Sequence, residues 1–125
     1  MWSVQVINPE RKILGLSWSG LVQPHEVAEA NASLEVHIRA LPTPGFDLLV
    51  DMQELLAWPP ETQKEIVAHQ RWLTQRGMRR AAVVTASSLT RMQLKRTARE
   101  SDHRTERQFD TVGDALFFLE TTEPG

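Results

Sequence analysis

Two short apolar runs constrain this chain more than any other feature: Phe46-Asp47-Leu48-Leu49-Val50-Asp51 and Arg80-Ala81-Ala82-Val83-Val84-Thr85. Pro44 and Gly45 bound the first, and Gly77 precedes the second. A run of this length without polar alternation suits a strand covered on both faces. Between the two, residues 61–76 place Ile66, Gln70 and Leu73 along one helical face, and Gly77 supplies a C-terminal stop. A strand–helix–strand succession with short connections sets its strands parallel and its crossover right-handed. The fold class is therefore α/β with a mostly parallel sheet.

The flanking segments extend this pattern. Trp2-Ser3-Val4-Gln5-Val6-Ile7 alternates apolar with polar, Asn8-Pro9-Glu10-Arg11 has turn chemistry, and Lys12-Ile13-Leu14-Gly15-Leu16-Ser17-Trp18 resumes a strand. That predicts an N-terminal β-hairpin ended by Gly20. From Pro24, tolerated in a first helical turn, Val27, Ala28, Leu34, Ile38 and Leu41 recur near helical spacing until Pro42-Thr43-Pro44-Gly45. After the second apolar run, Ser87 and Ser88 are placed to cap a third helix reaching about Asp102. Arg107-Gln108-Phe109 reads as a short last strand, and Asp110 as the cap of a closing helix with Val112, Ala115, Leu116 and Leu119. The expectation is one domain over residues 1–120, with about four helices and a frayed tail over 121–125.

At 125 residues, with 41% hydrophobic and 24% charged, the chain can fill one core and solvate its surface. It has no cysteine, which excludes disulfides, thiolate nucleophiles and cysteine-based zinc or iron–sulfur sites. The first apolar stretch is broken by Asn8, Pro9, Glu10, Arg11 and Lys12, unlike a signal peptide or a membrane span, so a cytoplasmic location is expected. The net charge of -2 conceals a pattern: residues 71–107 hold 10 Lys+Arg against 3 Asp+Glu, while both flanks are acidic. Such a segment either solvates helix faces and pairs with its acidic flanks, or meets a phosphate-bearing partner.

Several fragments together carry a family resemblance: Leu14-Gly15-Leu16-Ser17-Trp18-Ser19-Gly20, the run Phe46 to Asp51, Arg71-Trp72-Leu73, Gly77-Met78-Arg79-Arg80-Ala81-Ala82-Val83-Val84, and Arg91-Met92-Gln93-Leu94. They resemble the SpoIIAA-like branch of the STAS (anti-sigma factor antagonist) domains over nearly the whole chain. The resemblance implies a small module that switches protein partners or binds small ligands without catalysing a reaction. Classical members are switched by phosphorylation of a Ser or Thr in the loop after the third strand. Here that loop has no Ser, and Thr62 lies one turn into the following helix. The SpoIIAA-like branch is also similar in shape to CRAL-TRIO lipid-binding domains, which implies an apolar ligand or a membrane-surface role.

Open α/β sheets bind ligands at the loops beyond the carboxyl ends of their strands. In the loop at residues 52–60, Met52, Leu55, Leu56, Trp58 and Pro59 are unusually apolar for a connection. They either fold back over the sheet end or form a ligand or partner surface, to which Thr85 and Ser87 would contribute from the next strand's end. Arg91, Lys95 and Arg99 lie four apart and form one stripe on the expected third helix, either solvated or facing an anionic surface.

Catalytic signatures are weak. Glu65 and His69 are four apart and could share a helical face, but a metal needs three or more converging ligands, and His25, His37 and His103 lie in other elements. No G-x-S-x-G, phosphate-cradling glycine loop or H-E-x-x-H is present, and nothing matches a nucleic-acid recognition motif. The leading expectation is a non-catalytic module without cofactor or metal, binding a protein partner or an apolar small molecule or lipid. The alternative is a small enzyme using Asp51, Glu54 or His69. An apolar loop and a hairpin edge are also surfaces for self-pairing, so a homodimer is among the expectations.

Overall fold

The computed structural model describes residues 1–86, 92 and 106–123. Along the chain run β1 (Trp2–Asn8), β2 (Ile13–Trp18), β3 (Gly20–Leu21), α1 (Pro24–Arg39), β4 (Phe46–Asp51), β5 (Leu55–Ala57), α2 (Pro60–Gln75), β6 (Met78–Val84), β7 (Glu106–Phe109) and α3 (Val112–Thr121). The main sheet has the order β1-β2-β4-β6-β7. β1 is antiparallel to β2, and the remaining pairings are parallel. The mixed, mostly parallel α/β architecture with an opening hairpin is as the sequence pattern leads one to expect. Three helices lie among the described residues. Apart from Met92, the expected helix from Ser87 to Asp102 falls outside them.

Burial on both faces explains the unalternated apolar runs. Leu14 pairs with Leu48 and Leu16 with Val50, and across the next ladder Leu48 pairs with Ala81 and Val50 with Val83. These side chains form one core layer with Val27, Ala30 and Leu34 of α1 and Ile66 and Leu73 of α2. The intervening positions Ile13, Leu49, Ala82 and Val84 face the other way, against Ala115 and Leu119 of α3. Each fully buried aliphatic side chain contributes roughly 1.5–3 kcal/mol. Gly15 belongs to the close hairpin packing, since a Cβ there would lie 2.8 Å from Ile7 Cδ1.

Helix ends follow local chemistry with one correction. At the start of α1 the Glu26 carboxylate accepts from the Gln23 amide at 2.7 Å, and Pro24 stands in the first turn. α2 ends before Gly77, whose φ of 105° suits glycine, and Arg76 at its C-cap joins it to α1 by bonding Glu35, which Arg39 of α1 also bonds. α3 is capped by Thr111, not Asp110: the Thr111 hydroxyl oxygen accepts from the Asp114 amide at 3.0 Å. Thr111 has the extended backbone an N-cap needs. Thr121 is the last residue of α3. The buried Arg80 guanidinium donates to the Leu119 carbonyl at 2.9 Å and the Thr122 carbonyl at 2.8 Å, placing a cation at the C-terminus of α3. Asp47, 2% exposed, neutralises that cation at 3.2 Å.

Residues 52–60, read as a loop, contain β5, and Gly20, read as the hairpin's end, begins β3. Together they make a separate two-stranded parallel sheet. Gly20 adopts φ 67°, which turns the chain out of β2 and into this ribbon.

Candidate functional site

The ribbon lies beyond the carboxyl ends of β2 and β4. An Asx turn begins it: one carboxylate oxygen of Asp51 accepts from the Gln53 amide at 3.0 Å and its side-chain nitrogen at 3.1 Å. The Met52 amide donates to the Val84 carbonyl at 2.8 Å, tying the segment to β6. Gly20 N–H donates to the Glu54 carbonyl at 2.9 Å, and Val22 N–H to the Ala57 carbonyl at 3.1 Å. Backbone bonds at both ends therefore hold the ribbon.

Its apolar residues divide between inside and outside. Met52, Leu55 and Trp58 are buried and join the core layer beneath α1 and α2. The Trp58 indole N–H donates to Gln63 at 2.7 Å, and half-buried Pro59 is the N-cap of α2. Leu56 points the other way and is 80% exposed, and Leu21 on the paired strand is 55% exposed. Of the apolar residues expected to form a surface in this segment, Leu56 is the one that is largely exposed, and Leu21 and Ala57 are exposed on the same strand pair.

Among the other expected residues, Thr85 is buried, and its amide donates to the Phe109 carbonyl at 3.2 Å. Ser87, Arg91, Lys95 and Arg99 lie outside the described residues. Thr62, the nearest hydroxyl to the phosphorylation position of classical members, is fully buried and donates to the Val22 carbonyl at 2.9 Å. A kinase has no access to it in this fold. Glu65 and His69 do not share a face: Glu65 is exposed, whereas His69 is buried, with Nδ1 bonded to Asn31 and its ring edge-on to Trp18. Four residues along a helix advance the direction by about a tenth of a turn beyond one full turn, enough to cross the edge of a buried stripe. Glu54 is exposed, so the carboxylate–histidine set weighed for catalysis is divided between solvent and core. Among the described residues no group of three or more His, Asp or Glu is placed to hold a metal ion, and no helix is long and apolar enough to cross a membrane.

A second feature lies between α2 and the sheet. A small cavity of about 20 Å³ is lined by Trp18, Met52, Ile66 and Leu73 among other apolar side chains, with His69, Gln70 and Glu106 as its polar groups. Burial pushes the Glu106 carboxyl up to about 7. Sequence reasoning missed Glu106, because it stands in a segment dominated by arginines and began the last strand at Arg107. Only the pairing of Ala81 with Glu106 turns it toward the cavity.

No family model matches the chain, and no curated protein matches it in sequence. Among solved structures, it is similar to an uncharacterized protein from the DUF3478 family with a SpoIIAA-like fold, from Shewanella loihica PV-4. The TM-score is 0.74 at 15% identity, over 94% of this chain and 93% of that one. With the hairpin-first order and the mostly parallel sheet described above, this likeness gives the chain the SpoIIAA-like, STAS-type α/β fold.

Proposed function

We propose that the chain is a non-catalytic binding module that docks a protein partner on the β3–β5 ribbon. The observation carrying this reading is Leu56, 80% exposed, with Leu21, 55% exposed, on the neighbouring strand of a pair held from below by Met52, Leu55 and Trp58. Isolated exposed leucines are ordinary on protein surfaces. Here, however, the two sit on neighbouring strands at the carboxyl end of a parallel sheet, where this class of fold receives its ligands. Preorganised apolar groups lose little conformational freedom on docking, which favours recognition through a small patch. An open lipid lid is less well supported, because releasing Leu55 and Trp58 would expose side chains that fill the core.

Photocrosslinking in cells tests the proposal. A photoreactive residue at position 56 should give a discrete adduct that Leu21→Asp abolishes, and one at exposed Val36 of α1 should not give that adduct. No adduct at position 56, or the same adduct from position 36, overturns the reading.

A further inference from the structure

The protein treats two inward-facing carboxylates differently. Asp47 lies between Arg79, at 3.4 Å, and Arg80, at 3.2 Å. Glu106, on the opposite face of the sheet, has neither a hydrogen-bond nor an ion-pair partner among the described residues. Half-buried, it faces the cavity beneath α2, where no Lys or Arg stands among the described lining residues. The other polar groups there are engaged: His69 bonds Asn31, and Gln70 has a partner of its own. A carboxylate against apolar walls is costly to ionise without a countercharge, so an unpaired one in a cavity marks a place where a ligand supplies that charge.

We propose that this cavity binds a small compound with an apolar body and a protonated amine, the ammonium donating to the Glu106 carboxylate. The proposal is independent of the ribbon's role in docking. A cation gains a charge-assisted hydrogen bond that a neutral alcohol does not, and an anion is repelled by the ionised carboxylate. The space of about 20 Å³ suits one water or an ammonium group. Met52 and Met78 line the cavity, and their unbranched thioether chains can rotate to admit a longer body alongside Trp18 and Val50.

The test titrates the full chain with n-hexylamine, n-hexanol and hexanoate, following the Trp18 indole N–H resonance. The amine should bind in preference to the alcohol. Its affinity should rise about tenfold between about pH 6 and about pH 8, as Glu106 ionises around 7. Glu106→Gln should remove both the preference and the pH dependence. If that variant does not fold, the amine–alcohol comparison across pH in the unaltered chain decides alone. The proposal is overturned by no response to the amine, by equal binding of amine and alcohol, or by tighter binding of hexanoate. A pH dependence that survives Glu106→Gln overturns it too, since His69 would then be responsible.

Discussion

Glu35 and Glu106 respond to pH in opposite directions. The Arg76 side chain, bonded to Glu35, holds its carboxyl below the usual range, with Arg39 adding to the effect. The folded chain therefore binds that proton less tightly than the unfolded one. The Glu35 contribution is present above the ordinary value of 4.5 and is lost as pH falls through the lowered value. Glu35→Gln should lower the melting temperature slightly at neutral pH, with the difference closing in acid; the effect is small because the pair is solvent-screened. For Glu106, desolvation raises the carboxyl from 4.5 to about 7, so the folded chain holds the proton more tightly. Its stabilising contribution is full below 4.5 and disappears as pH rises through about 7. Glu106→Gln should match the parent in thermal melts near pH 4 and exceed it by on the order of 3 kcal/mol near pH 8. Equal melting curves at both pH values would contradict this burial of Glu106. Neither residue was singled out from sequence, because each depends on a neighbour far along the chain: Arg76 for Glu35, and the pairing of β7 with β6 for Glu106.

The elements differ in how far they follow from local sequence. α1 and α2 carry their own signals, with prolines in the first turn and apolar positions at helical spacing. β4 and β6 announce themselves by apolar runs that no solvated segment would tolerate. The β3–β5 ribbon has no such signal: Leu21 pairs with Ala57, far along the chain, and β5 is three residues long. Its anchors and its outer face should separate in mutation. Trp58→Ala should cost about 3–5 kcal/mol in denaturant unfolding, whereas Leu56→Asp should change stability by less than about 0.5 kcal/mol. α3 depends on Arg80. Arg80→Met leaves Asp47 inside with a weakened countercharge and should cost roughly 3–5 kcal/mol, while Arg80→Met combined with Asp47→Leu should recover much of the loss. A double variant no better than the single would show that the bonds from Arg80 to the α3 carbonyls dominate instead.

At the scale of the molecule, the sheet is covered differently on its two faces, by α1 and α2 on one and by α3 on the other among the described residues. β4 and β6 pair on both sides. Their amides should exchange with solvent only on global unfolding, while those of the β3–β5 ribbon exchange through local opening. Comparable protection in both would mean that the ribbon unfolds with the core. The α/β class, the hairpin-first order and the principal strands and helices were determined by sequence alone, because hydrophobic period and turn chemistry act over a few neighbouring residues. Tertiary structure alone decided that Met52, Leu55 and Trp58 turn inward while Leu56 turns out, that Thr62 is closed to modification, and that Glu106 faces a cavity with no countercharge among the described residues. Each of these depends on which distant strand supplies the next hydrogen bond, and a shift of one residue in that pairing would reverse the face on which the side chain lies.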